Sequence, residues 1–157
     1  MSKIRIVVML TLTVAFLSLL AAVPAVAGKP LQQASGGGFF HVDDQSGQEN
    51  HHMFAFNAEE TADGTIMGQM QHNNITKGFN VHLGIVEMVE VDAGVVWLRG
   101  MVTNSNNPSV PPTAYKCVLF VDNGEGMHAD PDESSKLTNC PGSSTTYPLE
   151  GGNIQVR

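Results

Sequence analysis

Apolar and polar residues alternate along much of this chain with a spacing of two, the period of strands that bury one face. The clearest stretch runs from Asn80 to Asn104. Val81, Leu83, Ile85, Val89 and Val91 fall on alternate positions, Asp92-Ala93-Gly94 interrupts them, and Val95, Val96, Trp97, Leu98, Met101 and Val102 resume the pattern. β-Branched and aromatic residues on either side of a short, Gly-containing connection predict a hairpin with a bulged, three-residue turn. Gly94 is expected to take the positive-φ position that a residue with a Cβ resists.

Further strands are expected on both sides of this pair. Phe39–Asp43 reads as a short strand. His51–Asn57 alternates, with His52, Phe54 and Phe56 on one side and Met53 and Ala55 on the other. Ala62-Asp63-Gly64 signals a turn, Thr65–Asn73 continues with Ile66, Met67 and Met70, and Asn74–Gly78 leads into the hairpin. Ser105–Thr113, with Pro111-Pro112, cannot be a strand interior, because proline donates no ladder hydrogen bond. Tyr115–Asp122 is the next strand, with Val118 and Phe120 facing away from Cys117, Leu119 and Val121. Asn123–Thr138 reads as an acidic loop, Cys140–Pro148 as a Pro/Gly/Ser/Thr-rich segment, and Asn153–Val156 as a closing strand. No sustained helical period follows residue 27. The pattern predicts an all-β fold, a small antiparallel barrel or sandwich of seven to eight strands, with the run of simple hairpins favouring the barrel.

The first residues have a different character. Lys3 and Arg5 precede an apolar run from Ile6 to Leu20, and Ala25-Val26-Ala27 has the small residues of a cleavage site. This predicts a secretory signal peptide over residues 1–27, cleaved on export, and a secreted or periplasmic protein with no membrane span after cleavage. Gly28–Gly38, with Pro30 and three consecutive glycines, reads as a flexible leader, so that a single β domain is expected over 39–157. Losing Lys3 and Arg5 leaves six basic residues against 15 acidic ones, a net charge of −9 where the whole chain has −7. Such a domain repels phosphate backbones, which argues against nucleic acid as a partner. An even cysteine count in an exported chain predicts one disulfide, Cys117 to Cys140. Closing that loop is worth about 3 kcal/mol in the chain-entropy picture. Without a C-x-x-C there is no redox motif.

Candidate chemistry lies in two places. Asp122, Asn123, Glu125, Asp130, Asp132 and Glu133 put six oxygen-bearing side chains within twelve positions, a possible calcium loop, although Gly124 and Gly126 do not fit EF-hand spacing. The same residues also suit a solvated turn after a strand. Among six histidines, His51 and His52 are strand neighbours and face opposite ways. His72 and His82 flank the Asn74–Gly78 connection, and in an even register they would share a face. Such a pair could bind zinc or copper with Glu87 or a methionine, or do acid/base work with Glu87 or Glu90 in an isomerase or cyclase. Met53, Met67, Met70, Met88 and Met101 are soft enough for Cu(I), and equally suited to filling a core. Trp97, with Phe54 and Phe56, suggests an apolar pocket. There is no G-x-S-x-G elbow and no phosphate-cradling glycine loop. Asn74-Ile75-Thr76 is a formal glycosylation sequon.

Phe54-x-Phe56-x-Ala58, Asp63-Gly64 with Gly68-Gln69-x-Gln71, Asn80-Val81-His82, Asp122-Asn123-Gly124 and the terminal Gly151-Gly152-Asn153-Ile154-Gln155-Val156 together resemble a group of small exported bacterial β-rich domains of unassigned function. The resemblance implies a bacterial source and a β-rich fold, and it brings no catalytic residues. The leading expectation is therefore a secreted, non-enzymatic domain that binds a small ligand, a glycan or an envelope protein through His72, His82 and Trp97. A metal-binding protein and a histidine acid/base enzyme are the alternatives.

Overall fold

Ten strands alternate inward and outward side chains in the computed structural model, which describes residues 32–157 apart from 45, 127, 142 and 143. They are β1 (Gln32–Asp43), β2 (Glu49–Glu60), β3 (Ile66–Asn74), β4 (Phe79–Asp92), β5 (Val95–Ser105), β6 (Tyr115–Val121), β7 (Glu133–Ser135), β8 (Thr138–Asn139), β9 (Thr146–Pro148) and β10 (Gly151–Val156). The signal peptide expected over 1–27 and the first residues of the expected leader lie outside the described residues. No helix among the described residues is long and apolar enough to cross a membrane.

The fold is all-β and antiparallel, in one sheet of order β10-β1-β2-β3-β4-β5-β6-β7-β9, with β8 pairing β6 off this path. The expected barrel is not formed, because no ladder joins β9 to β10. The strand count also exceeds the expected seven or eight, since β7, β8 and β9 are short pieces inside segments that read as loop.

The sheet nevertheless curls strongly. Phe56 of β2 stacks on Phe120 of β6 with ring centroids 4.0 Å apart, although a flat sheet would hold strands four places apart at about 19 Å. Phe40 of β1 stacks on Tyr147 of β9 at 5.6 Å, across the two ends of the path. Between these contacts lie Leu98, Val96, Val102, Val118 and Ile154, all at most 1% exposed.

Two local features depart from the alternation. The first is Gly36-Gly37-Gly38, which lies inside β1 and is not part of a flexible leader. These glycines pair with Ile154, Asn153 and Gly152 of β10. The strands approach so closely that a Cβ on Gly36 would sit 2.6 Å from the Asn153 carbonyl oxygen, and one on Gly152 only 2.1 Å from that of Gly37. The glycine run is thus a packing requirement.

The second is a bulge at Val86. Ile85 pairs with Gly100 and Glu87 with Arg99, so one extra residue enters β4. The phase reverses there. Ile85 and Met88 are buried, whereas Val89 and Val91, expected on the same face as Ile85, are 43% and 53% exposed. At the hairpin tip Asp92 pairs with Val95, which leaves a two-residue connection, and Gly94 has the expected positive φ of 74°.

Carboxylates close the gap that no ladder spans. The edge of β10 away from β1 offers the backbone N–H groups of Ile154 and Val156. Ile154 donates to Asp132 Oδ2 at 2.6 Å and Val156 to Asp122 Oδ2 at 2.9 Å. Asp132 is 7% exposed and also accepts from the Asn123 N–H at 2.9 Å. Each carboxylate stands in for a strand partner, and the free edge of β10 is blocked to foreign strands.

Cys117 and Cys140 form the expected disulfide, with Cα atoms 5.2 Å apart, and no cysteine is free. The bond ties β6 to the turn after β8 and is characteristic of an oxidising, extracellular compartment. Reduction is expected to lower the unfolding free energy by about 3 kcal/mol, given the 23-residue separation. Urea unfolding with and without a reductant measures this; an unchanged midpoint would contradict it.

Candidate ligand-binding face

The register of β3 and β4 decides where the histidines point. Asn74 pairs with Phe79, so His72 lies opposite Val81 and His82 opposite Gln71. His72 and His82 are therefore one residue out of step and occupy opposite faces, not the shared face that a metal pair would need. His72 points into the core, 7% exposed, and its neighbour there is His52, with ring centroids 5.2 Å apart. His52 in turn lies flat on Phe40 at 5.2 Å. His52 Nδ1 and His72 Nε2 have no hydrogen-bond partner. Burial pushes the pKa of His72 down to about 3, helped by His52, and burial together with Lys136 and Lys77 pushes His52 down to about 4. Both are neutral imidazoles held among aromatic rings.

The arrangement required for acid/base catalysis is not formed. Glu87 pairs with Arg99 at 3.2 Å, and Glu90 accepts from Gln32 at 3.2 Å, so neither is bonded to His72 or His82. On the outer face His41 meets Glu150 at 2.6 Å and stacks near His51 at 4.5 Å. Among the described residues, no three His, Cys, Asp or Glu side chains are gathered where they could hold one metal ion.

The acidic loop is occupied by the chain itself. Asp122 and Asp132 cap β10, and Asp122 Oδ1 also accepts from the Gly124 N–H at 2.9 Å. Glu125 accepts from the side-chain amides of Asn153 at 3.1 Å and Gln155 at 3.0 Å, and the Gln155 bond, with that of Asn153 next, holds its pKa below the ordinary value. Asn123 donates to the Pro131 carbonyl at 2.6 Å, Glu133 accepts from the Thr146 hydroxyl, and Asp130 is exposed. The sequon residue Asn74 is partly buried and donates to Asn50 Oδ1 at 3.2 Å.

His82 and Trp97 do reach a common surface, the outward face of β2 to β6. Phe54 and Phe56, expected beside Trp97, are buried on the opposite face. His82 borders a groove of about 450 Å³ over β2, β3, β4 and β5, whose outward side chains are Ala55, Asn57, Gln69, Gln71, His82 and Thr103. Ala55 is small, which leaves a hollow beside the longer Gln69 and Gln71. No acidic side chain and no lysine or arginine lines it. Farther along the same face, Trp97 lines a second groove of about 590 Å³.

Asn57, Gln69 and Gln71 had no place among the site residues expected from sequence, because each reads singly as a solvated strand position. The available signal was collective: Gln69 and Gln71 alternate on the outward side of β3, beside Asn57 on the outward side of β2.

No family model, no curated protein and no solved structure matches this chain. Of the motifs that carry the resemblance to exported bacterial β-domains, Phe54, Phe56 and Ala58 lie in the core, Asp122 at the edge of β10 and 151–156 form β10 itself, whereas Gln69, Gln71 and His82 line the first groove. The functional reading therefore rests on the side chains of the outer face.

Proposed function

We propose that this chain is a secreted, non-enzymatic binding domain whose outer face takes a neutral, hydroxyl-rich ligand of the glycan class. The single observation that carries the reading is the groove over Asn57, Gln69, Gln71 and Thr103, polar yet without a formally charged side chain. Each amide offers two donors and an acceptor in one plane, and each hydroxyl of a sugar can both donate and accept. An ionic ligand would find no opposite charge there. A purely apolar one would strip water from the amides and leave their hydrogen bonds unmade, at a cost of about 1–3 kcal/mol each. A hydroxyl-rich ligand replaces those bonds. Export fits the disulfide and the amino-terminal pattern of Lys3, Arg5 and Ala25-Val26-Ala27.

The test is a titration with neutral hexose and N-acetylhexosamine oligosaccharides, read on the side-chain amide NMR signals of the groove. Signals of Asn57, Gln69 and Gln71 are expected to move for at least one sugar series. Gln71→Ala should weaken that binding roughly tenfold, the loss of about one well-made hydrogen bond. If these signals stay still with every sugar while the protein remains folded, the reading is wrong.

A further inference from the structure

We infer that the Trp97 groove is a second subsite for the same ligand, so that the domain grips a glycan chain along its length and not a single terminal sugar. This rests on the reading of the amide groove given above. Trp97 stands on the outward face of β5, half-buried, with Val89 and Leu119 directly across in β4 and β6. These neighbours hold the indole without covering it. In the next row Arg99 pairs with Glu87 at 3.2 Å and lies over the Tyr115 ring at 4.4 Å. The disulfide of Cys117 and Cys140, with Pro141, lines the groove beside them.

This combination has a specific chemistry. A pyranose ring has one face lined by C–H bonds and a rim of hydroxyls. The indole plane suits that face, as aromatic side chains suit any flat apolar partner whose edges remain polar. Arg99 and Glu87 then supply donors and acceptors at the height of the rim. Their charges compensate one another, so this groove, like the first, favours a neutral ligand. The two grooves lie on one face and share β4 and β5. His82 and Glu87 are about 15 Å apart along β4, farther than one sugar ring reaches and within the span of a short oligomer. No side chain with an unpaired formal charge lines either groove.

Trp97 is the sole tryptophan, so its emission reports this subsite alone. The experiment titrates the full exported chain with oligomers of increasing length from the neutral sugar series that moves the Gln69 and Gln71 amides. Short oligomers are expected to move the amides and leave the emission unchanged. Longer ones should shift the emission and bind roughly tenfold tighter, as linked contacts do. Trp97→Leu, which keeps an apolar side chain between Val89 and Leu119, should bring the long oligomers back to short-oligomer affinity and leave short-oligomer binding intact. The wild-type emission needs no variant, so a poorly folding substitution does not remove the test. Amide shifts with length-independent affinity and a silent Trp97 would overturn this inference and spare the first reading. Emission changes without amide shifts would mean that the Trp97 groove takes a different ligand, and would also overturn it. Silence of both signals would defeat the underlying reading itself.

Discussion

Replacing Asp132 with alanine is expected to destabilise the protein by about 3–5 kcal/mol, from the loss of hydrogen bonds to a charged acceptor worth about 1.5–3 kcal/mol each. Asp132 is buried and accepts from two backbone N–H groups, those of Asn123 and Ile154. Alanine would leave both without this partner, the Ile154 N–H where water has little access and the Asn123 N–H on an exposed residue. Asp132→Asn keeps the shape but presents an NH₂ group to one of the two donors, so it should lie between wild type and alanine. Denaturant unfolding gives the free energies, and amide hydrogen exchange at Ile154 gives the location. Protection at Ile154 should fall before protection at Leu98 in the centre of the core. An alanine variant as stable as wild type would mean that the carboxylate is a bystander and that pairing of β10 with β1 alone holds that strand.

Acidification from pH 7 to pH 4 is the second large effect expected. His52 and His72 have folded pKa values near 4 and 3, depressed mainly by burial from an ordinary 6.5. Between 6.5 and those values the unfolded chain binds protons that the folded chain refuses, so stability falls as the pH is lowered. It is complete above about pH 7 and has declined substantially by pH 4. Down to pH 4 the loss corresponds to about 3 kcal/mol for each histidine acting alone. His72→Leu removes one titrating group and an unpartnered buried nitrogen together. It should flatten the pH dependence over this range and match or exceed wild-type stability at pH 7. Urea midpoints at pH 7, 5.5 and 4 for both proteins decide the matter. Parallel pH profiles would show that the core imidazoles are not responsible and would direct attention to carboxylates.

The hairpin of β4 and β5, the turn glycine and the disulfide were legible in the sequence because each is signalled by residues close in the chain or by a pairing with a single solution. The reversal of face at Val86 was not. Val, Glu and Met are all acceptable strand residues, and only the inserted position in the ladder shows that Val89 and Val91 turn outward. The pairing of His72 with His52 was hidden for a related reason. It depends on a diagonal contact between β2 and β3, and a one-residue change of register would send either ring to the other face. Gly36-Gly37-Gly38 read as a linker because glycine marks both flexible segments and tight packing, and only the partner strand, more than 100 positions later, tells them apart. For the candidate site, His82 and Trp97 were recognisable as unusual residues. The amides around His82 were not, since their meaning lies in being neighbours across three strands.

The pairing of β1 with β10 has a consequence for how the chain matures. These strands join Ala34 to Val156, so the sheet cannot be completed until residue 156 is available. Contacts this distant in sequence make for slow folding. A chain emerging from the ribosome would hold β1 unpaired along one edge until its last strand is made, and the disulfide between Cys117 and Cys140 would then be closed in an oxidising compartment.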